Sequence, residues 1–478
     1  MSDFENHHGA PTVVPRAPTR FEYLAFAAVL VPVALAPWPL GSNRPWAWSA
    51  LFLAACALLL LLGAGLVLGL LRPARLPGSV RFALALALLV VAWIALQTAP
   101  FLPARLAHPI WALLPTEFAA QPTIAINPTG AREALMRLLV AITFLIGGYV
   151  LGAQRALAEL LPIAVLVLVT LEAVFAFARL VFGIEELFGY TLPLARISGS
   201  FVNPNHFAAY VNFGVVIAFL LLLDSARRQA DAPRLRTALA RLLKSSLEAH
   251  PLLAAALAAC LLALAASASR GAALALLFTL LVLIGAGLRG TRLPLVLAGS
   301  AFLLVLLGVA IASGGGFLWE RLSHFDPASE FSPGIAGRAS IWAWSVERIA
   351  ERPWLGHGYG GFLALFEHAR DARFPSGGPW DYAHNTYLEL AVELGVPAAA
   401  ALALAVVLAL RPCFQALRYG TRSVLPLIAI AVTLVQALHG LVDFAWQIPA
   451  VNLTWALLLG AGVGRAAATL ARLRTREH

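Results

Sequence analysis

Apolar residues in this chain fall into unbroken runs separated by short breaks marked by proline, glycine or arginine. The runs show neither the alternation of a half-buried strand nor the three-to-four spacing of a surface helix. Runs of about 20 residues match the ~30 Å hydrocarbon core of a bilayer at about 1.5 Å of helix rise per residue. The pattern therefore predicts an all-α polytopic membrane protein with twelve spans, near 21–40, 46–71, 81–99, 132–151, 157–182, 205–223, 250–268, 270–288, 293–313, 391–410, 423–441 and 449–465. An even number places both termini on one side. Residues 1–20 and 466–478 then form tails, 21–313 nine spans, 314–390 one large hydrophilic loop, and 391–465 three further spans.

Composition agrees. The chain of 478 residues is 60% hydrophobic and 12% charged, whereas soluble domains carry about 25% charged residues. Its net charge of +10 would suggest nucleic acid in a soluble domain, but in a membrane protein it must first be set against the loops. Most Lys and Arg fall in 1–20, 72–81, 155, 224–249, 289–292, 411–422 and 465–478. Positive charge gathers on the cytoplasmic side, so the alternate set, 41–45, 100–131, 183–204, 266–270, 314–390 and 442–448, is expected to face the periplasm of a bacterial inner membrane. The first apolar run is followed by no small-residue cleavage site, so the first span is expected to be retained. Cys56 and Cys260 lie in apolar runs and Cys413 in a short basic loop, so no disulfide is expected. There is no phosphate-cradling loop with Lys and no basic stripe interleaved with aromatics, which argues against ATP-driven transport and against a nucleic-acid partner.

The chemistry is expected on the side that positive charge avoids. Arg270 sits in the tight turn Ala266 to Gly271, at the depth of a lipid phosphate; a snorkelling interfacial arginine is the bland alternative, while the planar guanidinium suits phosphate bidentately. Arg196 opens the loop before the sixth span. There Asn203-Pro204-Asn205 reads as a turn and helix start whose free N–H groups could meet an anion, or as a capped turn and nothing more. Arg338 precedes an amphipathic run to Pro353 and the cluster Gly356-His357-Gly358-Tyr359-Gly360-Gly361, a weak phosphate signal more in keeping with a turn.

His384 opens a helix carrying Glu389 and Glu393. Those carboxylates would be costly in lipid, so the helix is expected to start above the membrane, with His384 about 10 Å above a span at 391–410. A histidine there can accept a proton near neutral pH or merely cap the helix. His439 and Asp443, four apart, read as a structural pair or as acceptor contacts. Glu172 and Arg179 are the main charges expected near mid-membrane, where a solute transporter would place its site. No Asp-x-Asp pair and no Cys/His cluster with metal spacing occurs in an outward loop, so no metal and no cofactor is expected; Glu185, Glu186 and Asp381 are the reserve ligands.

In Gly199 to Tyr210, Ser269-Arg270-Gly271, Gly337 to Phe362, Ala383 to Gly395 and His439 to Asn452, the chain resembles the bacterial O-antigen ligase and polymerase superfamily. His384 to Gly395 is similar to the histidine-to-glycine signature of its ligases. The resemblance implies a GT-C-type fold and an inverting, metal-independent transfer from an undecaprenyl-diphosphate-linked glycan. His384 would activate the acceptor hydroxyl, and Arg196 and Arg270, with Arg338, would meet the lipid diphosphate. The acceptor would be lipid A-core or another glycan; a polymerase joining lipid-linked repeats and a bicarbonate-like transporter are the alternatives. The first 130 residues carry no matching motif.

Overall fold

A computed structural model describes residues 16–115, 121–192, 194, 196–228, 244, 248–287, 335–374 and 380–477. Helices in chain order are α1 (Arg20–Leu35), α2 (Pro45–Val67), α3 (Gly78–Gln97), α4 (Pro128–Ala153), α5 (Arg155–Phe182), α6 (Pro204–Arg228), α7 (Pro251–Ala266), α8 (Arg270–Gly287), α9 (Ile335–Glu351), α10 (Phe362–Ala369), α11 (Thr386–Leu394), α12 (Val396–Arg418), α13 (Leu425–His439) and α14 (Pro449–Glu477). Two short strands, Glu186–Leu187 and Tyr190–Thr191, form a hairpin between α5 and α6. The protein is an all-α polytopic membrane protein. Among the described residues, seven helices are long and apolar enough to cross a bilayer, and α7, α8 and α13 are shorter apolar helices. Eleven of the twelve expected spans coincide with a helix; the one at 293–313 lies outside the described residues.

The centre is built on α14 and α6, whose side chains are buried almost throughout, while α2, α3 and α12 turn Leu60, Val67, Leu89 and Val407 outward. Close helix contact comes from glycines four apart on facing helices. Gly148 and Gly152 of α4 lie against the carbonyls of Leu457 and Ala461, and Gly460 and Gly464 of α14 against those of Leu145 and Tyr149. Small residues at this spacing let two backbones approach in the membrane, where dispersion rather than the hydrophobic effect drives association.

The connections expected on one side meet at one edge. Ser200 Oγ donates to Pro37 O at 2.7 Å, Arg196 Nε to Ser267 O at 2.8 Å, and Thr386 N to Gly440 O at 2.9 Å. Glu172 and Arg179 also serve this edge. Arg179 donates to Gly199 O (2.6 Å), Leu192 O (2.8 Å) and Ile184 O (3.0 Å), and Glu172 accepts from Ser200 N (2.6 Å) and Ser200 Oγ (2.9 Å). Both side chains are buried; Arg179 and the Oε1 atom of Glu172 spend their hydrogen bonds on the loop that carries Arg196, while Glu172 Oε2 is left without a partner among the described residues.

One boundary differs from expectation. The helix after His384 does not run on into a span at 391–410: it ends at Leu394, Gly395 takes φ +80°, and Pro397 stands in the first turn of α12. Proline at a helix start lacks the donor that a helix interior needs, and glycine takes a positive φ without a Cβ penalty. Val396 N then bonds Pro353 O at 2.8 Å, fixing the break.

The loop after α3 packs on the segment after α9 through two histidines. His108 Nδ1 accepts from Ile110 N (3.2 Å), so its Nε2 donates to His357 Nδ1 (2.9 Å), whose Nε2 in turn donates to Arg348 O (2.9 Å). Burial, then their mutual influence and Arg352, push His108 down to about 3; burial likewise takes His357 to about 4. Both rings are neutral at pH 7.

Candidate active site

His384 precedes α11 with φ +49°, a left-handed backbone rare for a residue with a side chain. It does not cap the helix. Asn385 does, its Oδ1 accepting from Tyr387 N (3.0 Å) and Leu388 N (3.1 Å). The imidazole stands edge-on to Phe444 (4.9 Å between centroids) and Trp380 (5.4 Å), and its Nδ1 is buried without a hydrogen-bond partner. Burial pushes the ring down to about 4; Asp443 acts against this, and Arg338 and His206 add to it. At neutral pH the ring is uncharged and able to accept a proton.

Asp443 is the polar centre beside it. Its carboxylate, 1% exposed, accepts from Asn205 Nδ2 (2.9 Å) and Phe444 N (2.8 Å), and lies 3.4 Å from His206 Nε2 and 3.8 Å from Arg338 Nη2. Burial alone would raise this carboxyl, but contact with His206 and the pull of His439 and His384 outweigh it and hold it below the ordinary carboxylate range. Arg196 joins through Asn205, donating to its Oδ1 at 3.0 Å, and Asn203 Oδ1 accepts from Asn205 N at 2.8 Å. Arg196, Asn203, Asn205, Arg338, His384 and Asp443, scattered in sequence, thus form one cluster. Arg270 opens α8 on an exposed position; beside it Gly271 has Val442 and His439 against the place a Cβ would take. His439 is buried with Nδ1 unpartnered, and Asp443 makes its close contacts with Asn205 and His206 rather than with His439.

Sequence reasoning missed His206 as a site residue, along with Phe444 and Trp380. His206 lies in the first turn of α6, in a stretch recognised for its asparagines; its edge contact with Phe444 (4.6 Å) depends on a chain return that no local signal gives.

The glycine cluster is not a phosphate cradle. Gly356, Gly358 and Gly360 have positive φ, and the amides of Gly360, Gly361 and Phe362 converge on the Glu393 carboxylate, Phe362 N at 3.1 Å. Burial pushes Glu393 up to about 7 against these bonds. The turn holds α11 in place by hydrogen bonds that a phosphate would need. Glu389 and Glu393 are both buried against protein, not lipid. Among the described residues, no three His, Cys, Asp or Glu side chains converge as a metal ion would require.

Beneath the cluster lies a cavity of about 1850 Å³, lined by apolar side chains of α3, α4, α12, α13 and α14; Thr386, Tyr387, Trp446 and Gln447 form one end, and Pro73, Phe414 and Arg418 lie toward the other. It exceeds the roughly 300–1,000 Å³ of a pocket for a drug-sized ligand. Its lining includes Thr386 and Trp446, two and three residues after His384 and Asp443, but none of Arg196, Arg338, His384 and Asp443 themselves.

Residues 255–403 match the family model described as O-antigen ligase. That stretch contains Arg270, Arg338 and His384 and leaves Arg196, Asn205, His206 and Asp443 outside. No curated protein matches the chain.

Proposed function

We propose, from the match of residues 255–403 to the family model described as O-antigen ligase, that the chain is a member of the O-antigen ligase and polymerase superfamily and a membrane glycosyltransferase of the ligase type. It takes a glycan from an undecaprenyl-diphosphate carrier and passes it to a hydroxyl of lipid A-core or another glycan. The observation that carries this is His384: a neutral imidazole with a buried, unpartnered nitrogen, in one cluster with Asp443, Arg338 and Arg196.

The acceptor hydroxyl gives its proton to His384 as its oxygen bonds the anomeric carbon. The bond from that carbon to the diphosphate oxygen breaks on the opposite face, its electron pair leaving with the diphosphate, so configuration inverts. Asp443 steadies the imidazolium until the proton passes to water. Arg196, held by Ser267 and Asn205, with Arg270 and Arg338 meets the leaving charge as preorganised electrostatic stabilisation. An apolar cavity of this size suits the carrier's hydrocarbon tail, in keeping with a GT-C-type enzyme.

Arginine in place of a metal has a direct test. Purified protein in detergent, given a lipid-diphosphate glycan, is expected to transfer it in excess EDTA, and Arg270→Lys to lose most turnover because a point charge cannot reproduce the bidentate fork. Loss in EDTA restored by Mg²⁺ or Mn²⁺, or a fully active Arg270→Lys, would overturn the arginine account and bring in Glu185, Glu186 and Asp381. Supplying lipid A-core or a second lipid-linked repeat as acceptor separates ligase from polymerase.

The site is proposed to face the periplasm of a bacterial inner membrane, with both termini cytoplasmic, on the charge asymmetry of the loops. An impermeant thiol reagent added outside should reach a cysteine placed in 320–380 and miss one in 226–245. Labelling of both from one side refutes this orientation.

A further inference from the structure

Asp443 and His384 arrive from different parts of the chain, and one buried side chain ties the backbone around both. Glu389, 1% exposed on α11, accepts from Ala383 N at 2.9 Å through one carboxylate oxygen and from Gln447 Nε2 at 2.6 Å through the other. Ala383 immediately precedes His384. Gln447 ends the turn Ala445–Gln447 that follows Asp443 and Phe444.

We infer that Glu389 is a positioning residue for His384, its carboxylate clamping the segment before the histidine to the turn after Asp443. This rests on the proposed function only for its kinetic consequence. Three features require such a clamp. His384 holds a left-handed backbone, which strains a residue that carries a Cβ. Its flanks are otherwise held by Trp342 Nε1 to Ala383 O (3.0 Å) before it and by Asn385 Nδ2 to Leu441 O (2.9 Å), Thr386 N to Gly440 O (2.9 Å) and Thr386 Oγ1 to Asp443 O (3.1 Å) after it, so that Glu389 alone meets the Ala383 amide and joins it to Gln447. Two donors also converge from separate segments, one on each carboxylate oxygen, so a single side chain joins them through both of its acceptor atoms. Glu393 and Arg137 are the charged groups that face Glu389. Its bonds go to backbone and to Gln447 rather than to the reacting ring, so it acts through His384.

Glu389→Gln sets an amide NH₂ against a donor. Hydrogen exchange of the 380–386 peptide is expected to rise at least tenfold at the Ala383 amide. Turnover should fall at least tenfold, with KM for the lipid-diphosphate donor unchanged. Exchanging the pair, Glu389→Gln with Gln447→Glu, restores one acceptor for Ala383 and one donor–acceptor contact across the clamp, and is expected to recover most of both losses. Unchanged exchange in Glu389→Gln, or no recovery in the exchanged pair, overturns the clamp. Should Glu389→Gln fail to fold, Gln447→Met removes one of the two donors and carries the same exchange measurement, with raised exchange expected and wild-type exchange overturning the inference. A wild-type protein that transfers no glycan sinks the proposed function alone, since the exchange readout needs no activity.

Discussion

His384→Ala is expected to stop glycan transfer while the protein stays folded and the lipid-linked donor accumulates. A positioned general base contributes about 10²–10⁴-fold, and removing it leaves only binding and the arginine field. His384→Asn should lose as much, although asparagine tolerates the left-handed backbone at this position, so the loss belongs to the imidazole and not to relaxed strain. The pH profile adds a second check. The folded ring is pushed from its ordinary 6.5 down to about 4, so the base remains unprotonated well below neutrality, and the acid limb of kcat/KM should fall near 4. The same shift bears on stability: the unfolded chain takes up the proton first, so this contribution is complete above about 6.5 and is lost as pH falls toward 4. Near-normal glycan display by His384→Ala, or an acid limb at an ordinary histidine value, would remove His384 from the chemistry. Helix capping is no refuge, since Asn385 performs it.

Gly464→Leu, and equally Gly460→Leu, is expected to prevent assembly of the bundle. A Cβ at either position meets a backbone carbonyl of α4, Tyr149 O or Leu145 O, and a carbonyl in a helix cannot rotate aside as a side chain can. Overpacking usually costs about 1–3 kcal/mol, and with backbone on both sides the cost should reach or pass the top of that range. The measurement is the fraction of monodisperse protein after detergent extraction and its melting midpoint. Gly63→Leu serves as the control, because nothing lies within 4 Å of that position. A Gly464→Leu protein that melts with the wild type would show that the helices can part without harm.

The helices were legible because lipid sorts residues by a single property over twenty positions, and that average survives any local irregularity. Gly395 was legible too, as a landmark, but its consequence was not: hydropathy continues across it from Leu390 to Leu402, so a span appeared where the backbone turns. Glu389 and Glu393 gave the right warning, that a carboxylate does not face lipid. What covers them, the Ala383 amide, Gln447 and the glycine turn, was not legible, because those partners come from other parts of the chain. Arg196, Arg338, His384 and Asp443 could each be singled out by their place on the side that positive charge avoids or at a helix end. Their meeting at Asp443 could not, since it is set by how α6, α9 and α13 pack. His206 stayed hidden for the same reason.

The contacts of α3 and the loop after it carry a consequence for descent. Trp93 Nε1 donates to Leu394 O at 2.9 Å, Gln97 Nε2 to Leu355 O at 2.8 Å and to Glu393 O at 3.0 Å, and His108 meets His357. A recognisable stretch of sequence, 255–403, is thus braced at its reactive end by a segment with no matching motif. What can be inherited or transplanted as a working unit is therefore not the recognisable stretch. The leading helices must travel with it, free to vary in surface and obliged to keep a few polar anchors, and a hybrid that divides the two would part His384 from the scaffold that sets its place.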